Sequence, residues 1–341
     1  MEFYFETDDK LDRRKYAEFL KSMLDNCDNY RREDSDGAYV IAIDSPWGTG
    51  KTRFAKMLRN YLEDRTKKMG DDSLPGDNAS FNAIYYNSWE TDFSDDALLP
   101  LIHSIISSPE FKEDRFKRKS KEVLSKFKEA ATAVARVAVY TVLHNLAGEK
   151  VTEMVKAADD AVSQKPEDPL KSYQERLKLL DNFRKALEEM IEQTKQKKLV
   201  IIIDELDRCR PTFAIQTLEL AKHLFSVKGL IFVFALDIKQ LSSSVQTVYG
   251  QELDATGYLC RFFDYVSQLP LPDNRKLIEE KIFSIESRWM FSRALSINPR
   301  NRVAVEISEF ILNIALHDNL SIRELLTLLG HYEILVLTQL R

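Results

Sequence analysis

The stretch Ile41 to Thr52, IAIDSPWGTGKT, constrains the chain more than any other. The run AYVIAI is short and β-branched, as a buried parallel strand requires, and KTRFAKMLRNYLEDRTKK after it returns to helical spacing. Between them lies a glycine turn. A strand that feeds a helix through such a turn makes a phosphate-binding loop: successive N–H groups curl around phosphate oxygens, a lysine neutralises the β and γ phosphates, and a hydroxyl ligates Mg²⁺. By spacing, Gly48, Gly50, Lys51 and Thr52 take those roles. Pro46, Trp47, Thr49 and Arg53 complete the nucleotide-binding segment. The usual first glycine is Ser45. Because Ser45 precedes Pro46, it is driven to the extended region, which serine occupies without strain, so a small side chain suffices there.

The run KKLVIIIDELDRCRP holds the strongest strand signal in the chain. An Asp ending such a strand beside a phosphate loop holds the Mg²⁺ water shell, and an adjacent Glu orients or deprotonates an attacking water. Asp204 is assigned the first role, shared with Thr52 at the metal, and Glu205 the second. The next strand, GLIFVFALD, ends at Asp237, which either senses the γ-phosphate or caps the helix IKQLSSSVQTVYG. Asp207 and Arg208 read as a structural ion-pair network.

Around these motifs the pattern alternates between strand and helix. DKLDRRKYAEFLKSMLDN (Asp9 to Asn26) is an amphipathic helix, and FNAIYYNSW is a strand ending near Asn87. From about Ala97 to Lys198 the chain is mostly charged helix, and from Asn274 to Arg341 it carries only helical periodicity. The expected fold class is α/β: a P-loop NTPase three-layer core with a central, mostly parallel sheet, a long helical insertion and a helical C-terminal lid. The core is expected at 1–105 and 198–272, the insertion at 106–197 and the C-terminal subdomain at 273–341.

A chain of 341 residues with 44% hydrophobic content builds such a core without staples. A net charge of −5 argues neither for nucleic acid nor for an anionic membrane surface as a partner. FKEDRFKRKSKEVLSKFK (Phe111 to Lys128) is locally basic, but its interleaved acids mark a solvated helical face, so nucleic-acid binding is unsupported. Three separated cysteines, no signal-peptide pattern and no apolar run of membrane-spanning length point to a cytoplasmic protein.

Taken together, the segments DKLDRRKYAEFLKSML, PWGTGKT, NSW at Asn87 to Trp89 with DFSDDALLPLI, and IDELDRCRPTFAIQTLELAKHLFSVKGLIFVFALD…YLCRFFDYVSQLPLP resemble the KAP family of P-loop NTPases. The resemblance implies a RecA-like ATPase core that binds ATP and Mg²⁺. It also implies hydrolysis that drives or resets an assembly switch, in a homo-oligomer or with a partner effector protein, as in bacterial members linked to phage defence. A nucleotide-binding signalling scaffold with little hydrolysis is the alternative. The family's basic position falls on Arg261, which then approaches a γ-phosphate within the chain or across a subunit boundary. Arg323 in LSIRELLTLLG is similar to its C-terminal arginine motif. Leu11 and Tyr16 are candidates for the adenine side, and Trp89 is expected to plug the core. Two departures stand out. Glu205 replaces the Asp often found in the family, and AATAVARVAVYTVLHNLAG carries Arg136, His144 and Asn145 where many members have membrane spans. A central arginine costs roughly 2.5–3.5 kcal/mol in a membrane, so this segment reads as a buried or partner-binding helix.

Overall fold

The computed structural model describes residues 2–27, 38–65, 79–94, 96–108, 125–134, 169–194, 196–271, 278, 281, 283, 284, 320 and 322–338. Five strands form one sheet: β1 (Tyr39–Asp44), β2 (Asn82–Asn87), β3 (Leu199–Asp204), β4 (Leu230–Leu236) and β5 (Tyr265–Gln268). Their spatial order is β2-β3-β4-β1-β5, and every neighbouring pair is parallel. The expected parallel sheet is thus present, and among the described residues all of its strand pairs are parallel. β5 was not legible as a strand, because its short YVSQ run is half exposed and mixed in polarity.

Parallel strands need covered faces, and the alternation along β4 shows how they are covered. Leu230, Phe232, Phe234 and Leu236 face one apolar cluster, while Ile231, Val233 and Ala235 face another. The first cluster is completed by α4 (Leu98–Ser107), α5 (Pro169–Gln193), α6 (Pro211–Glu219) and α7 (Ile238–Tyr249). Edge-to-face rings run through it from Phe183 to Phe225 to Phe232. The second cluster takes Ala17, Leu20 and Leu24 of α2 (Arg14–Asp25) and Phe54, Ala55, Leu58 and Leu62 of α3 (Lys51–Leu62). These layers make the α/β sandwich.

After a short helix α1 (Phe5–Asp8), helix α2 begins at Arg14, five residues later than its periodicity suggests. Asp9 is the physical reason: its carboxylate accepts the backbone N–H groups of Leu11, Arg13 and Arg14, and Asp12 adopts a φ of +50°. The carboxylate satisfies amides that another helical turn would otherwise bond, so Lys10–Arg13 form a cap leading into the helix.

Within the expected insertion, the described parts are a helical segment at 125–134, with Phe127, Ala131 and Val134 buried in the first cluster, and α5. Arg136, His144, Asn145 and most of the basic Phe111–Lys128 stretch lie outside the described residues. No helix among the described residues is long and apolar enough to cross a membrane. From the C-terminal region, a helix over Ile322–Thr338 stands beside the phosphate loop, where the Arg323 N–H donates to the Gly48 carbonyl at 3.3 Å.

Candidate functional site

The sheet register aligns the carboxyl ends of its strands. Asn87 pairs with Asp204 and Asp204 with Ala235, while Asp44 pairs with Leu236 and Gln268. The loop leaves β1 at this edge. Gly48 and Gly50 adopt φ values of +83° and +88°, in the left-handed region that glycine enters freely. Ser45 has no positive φ; it is buried, and its hydroxyl shares a 2.7 Å hydrogen bond with that of Thr49. The Thr49 hydroxyl also lies 2.8 Å from the Pro46 carbonyl, which it bonds as donor. The serine in place of glycine therefore braces the turn from inside.

Lys51 is 9% exposed and donates to the carbonyls of Ser45 and Pro46. Burial pushes its pKa down, against the pull of Asp207, Asp237, Asp204 and Asp44. Asp204 ends β3 almost fully buried. Its carboxylate accepts the Tyr85 hydroxyl at 2.9 Å and the Glu205 amide at 2.9 Å. Burial raises its pKa, and a hydrogen-bonding contact with Thr52 partly opposes that rise. A hydroxyl beside a buried carboxylate is the hard oxygen donor set that Mg²⁺ takes, and the glycines leave the loop amides uncovered, so these residues fit a Mg²⁺-nucleotide.

Glu205 sits at φ +61°, a strained conformation for a residue with a Cβ. Both of its carboxylate oxygens are engaged: one pairs with Arg208 at 2.8 Å and the other accepts the Asn87 side-chain amide at 3.1 Å. Asp207 accepts the Trp47 indole N–H at 2.6 Å and the Asp237 backbone N–H at 3.1 Å. Burial raises the Asp207 pKa, and Lys51 opposes this.

Lys51, Thr52, Asp204, Glu205 and Arg208 open into one cavity of about 570 Å³, roofed by Ile322, Arg323 and Leu326. A second cavity of about 580 Å³ adjoins it, lined by Leu11, Arg13 and Met57. The two share Gly50, Arg53, Ile322 and Leu326. Arg53 straddles them, donating to the Asp8 carbonyl at 2.8 Å with its guanidinium 4.7 Å from the centre of the Phe3 ring.

The model of the KAP family P-loop domain matches residues 13–336. The chain belongs to the KAP family. Membership implies nucleotide and Mg²⁺ binding. No curated protein matches the sequence. Among solved structures the KAP chain is similar to the Aeropyrum pernix ORC2 protein in ADPNP-ADP complexes, at 14% identity and a TM-score of 0.38 over 79% of this chain and 50% of that one. It is also similar to C. elegans PCH-2, at 10% identity and a TM-score of 0.35 over 96% of this chain and 68% of that one. The chain spans half the length of the first of these proteins.

In this KAP domain, several expected site residues converge and others do not. Trp47, Gly48, Gly50, Lys51, Thr52, Arg53, Asp204 and Glu205 line one cavity, whereas Pro46 and Thr49 shape the loop from behind. Asp237 caps α7, its side chain accepting the Gln240 amide at 3.1 Å. Arg261 lies elsewhere: it is exposed at the C-cap of helix Ala255–Cys260, just before Asp264, whose amide bonds Val40 near the start of β1.

Leu11 lines the second cavity, but Tyr16 does not. The Tyr16 hydroxyl bonds Ser267 at 2.7 Å and its ring packs on Phe54. Trp89 is 52% exposed beneath the Arg208 guanidinium rather than plugging the core. Arg208 pairs with Glu205 rather than joining Asp207 in a shared network.

Asn87, Tyr85 and Arg13 escaped the sequence reading as site residues. For Asn87 a signal existed, since a polar residue ending a strand beside Asp204 must face the same edge.

Proposed function

We propose that the chain is a Mg²⁺-dependent ATPase whose cycle drives or resets an assembly switch. Lys51 and the loop amides hold the triphosphate, Thr52 and Asp204 hold Mg²⁺, and Glu205 prepares the attacking water. Bound Mg²⁺ supplies charge neutralisation at the phosphates. The supporting observation is convergence: the lysine, the hydroxyl and both acidic residues come from segments about 150 residues apart, yet line one cavity beside left-handed glycines. Asp237 supports the γ-phosphate end through its position beside Asp207 and Lys51.

Exposed Arg261 is offered to a neighbouring molecule, which makes rapid hydrolysis depend on assembly, as with arginine fingers worth about 10³–10⁵ in rate. The helical insertion at 106–197 and the helical part at 273–341 are the parts proposed to meet the partner. The likeness of the motifs to bacterial family members in phage defence supports a role of that kind. The second reading, a scaffold active in its ATP-bound form, is favoured by the double restraint on Glu205.

Phosphate release from Mg²⁺·ATP, measured with light scattering across dilution, tests the proposal. Release that a Lys51→Ala variant lacks, and that rises with assembly, is expected. Release equal in that variant would overturn the ATPase reading.

A further inference from the structure

Arg13 is 2% exposed and lines the second cavity, yet its Nε and Nη1 donors have no hydrogen-bond partner among the described residues. Its Nη2 donates to the Pro270 carbonyl at 3.1 Å. The Asp9 carboxylate, four residues earlier in the chain, is occupied by the backbone amides of Leu11, Arg13 and Arg14. Burying charged donors without acceptors is costly, so an arginine held this way calls for an acceptor from outside the chain.

The surroundings indicate which acceptor. The cavity meets the phosphate cavity at Gly50, where an added Cβ would stand 3.4 Å from both Arg13 Nη1 and Ile322 Cδ1 and 3.6 Å from Leu11 Cδ1. A molecule whose phosphates lie at Lys51 extends its head group past Gly50 into this space. There it meets the apolar side chains of Leu11, Met57 and Ile322 and the Arg13 guanidinium, which only donates, in a lining whose remaining charged residues are Asp8, Asp9, Lys10, Arg53 and Lys281. A purine base has flat apolar faces and ring nitrogens with in-plane lone pairs.

We propose that Arg13 is the specificity-determining residue of a purine subsite, donating to a ring nitrogen of the base seated between Leu11, Met57 and Ile322. This rests on the phosphate site proposed above. It adds that adenine recognition comes from a side chain ahead of β1 and not from the loop itself.

Calorimetric binding of Mg²⁺·ATP and of Mg²⁺·tripolyphosphate, which lacks a base, separates the two readings. Arg13→Gln is expected to weaken ATP about ten- to a hundredfold, the worth of a hydrogen bond to a charged group, while leaving tripolyphosphate binding unchanged. Among the 1-, 3- and 7-deaza analogues of ATP, one should lose a similar factor on the wild-type chain and lose nothing more on Arg13→Gln. Undiminished ATP binding by that variant would overturn the proposal. So would a parallel fall for ATP and tripolyphosphate, or wild-type binding of all three deaza analogues as tightly as ATP. The deaza series uses the unaltered protein and so does not depend on how the variant folds. If Lys51→Ala leaves tripolyphosphate binding intact, the phosphate site itself is wrong, an outcome distinct from the failure of Arg13.

Discussion

Two buried cations flank Gly50, and they are buried on different terms. Lys51 borrows the carbonyls of its own loop and lies in the field of four aspartates, so the empty-handed state is already compensated. Among the described residues Arg13 has one carbonyl and two unpartnered donors, and burial lowers its pKa to about 10. A lysine on a flexible stem exchanges one acceptor for another when phosphate arrives, whereas a planar guanidinium fixed at one corner waits for an acceptor of the right shape. The difference separates charge recognition on one side of the glycine from shape recognition on the other.

Removing Lys51 should break this arrangement most severely. Lys51→Ala is expected to abolish phosphate release and weaken Mg²⁺·ATP by at least about a hundredfold, since it deletes charge-assisted hydrogen bonds of roughly 1.5–3 kcal/mol each. Calorimetry checks the affinity. Next in size is Glu205→Gln. Hydrolysis should fall by about 10²–10⁴, the usual worth of a positioned general base, with ATP affinity retained. An assembly that persists with this variant and ATP favours the switch over the motor. Loss of binding instead would make Glu205 part of the phosphate cradle.

A third cation sharpens the contrast, because Arg208 lines the same cavity but already has a carboxylate partner in Glu205. If the Arg208 and Asn87 contacts restrain the base, Arg208→Gln and Asn87→Ala should each raise basal phosphate release, by less than about tenfold given one partly exposed contact. A fall in rate for Arg208→Gln would assign that guanidinium to the phosphates.

The same contrast explains what was legible in the sequence. The phosphate side is written in two contiguous stretches, Gly48–Thr52 and Asp204–Glu205, where spacing alone brings backbone and side chain to one point. The purine side is assembled from residues around 11–13, 50–57 and 322–326, and no local period connects them. Arg13 looks like any charged residue at a helix start until the fold buries it. Trp89 misled for the converse reason: its size suggests a core residue, but it follows β2 at the sheet edge, where a guanidinium rather than the core covers its ring. β5 escaped because pairing with β1, not its own composition, makes it a strand.

The smallest expected effect concerns how Lys51 tolerates its burial. Asp207 has a raised pKa, caused first by burial and only partly opposed by Lys51 and by the hydrogen bond from Trp47. A carboxyl raised in this way binds its proton more tightly in the folded chain than in the unfolded one. Asp207 therefore contributes a gain in stability as pH falls from neutral toward the carboxylate range, and in its ionised form it costs stability at neutral pH. Asp207→Asn keeps an oxygen that accepts from the Trp47 indole and from the Asp237 amide while removing the charge. Its Tm should exceed that of the wild type at pH 7, on a scale of roughly 1–2 °C per kcal/mol for a chain of this size, and the advantage should shrink as pH falls. A lower Tm across the whole range would show that Asp207 is worth more to Lys51 than its own desolvation costs. In that case the lysine would depend on fixed counter-charge where Arg13 depends on a ligand.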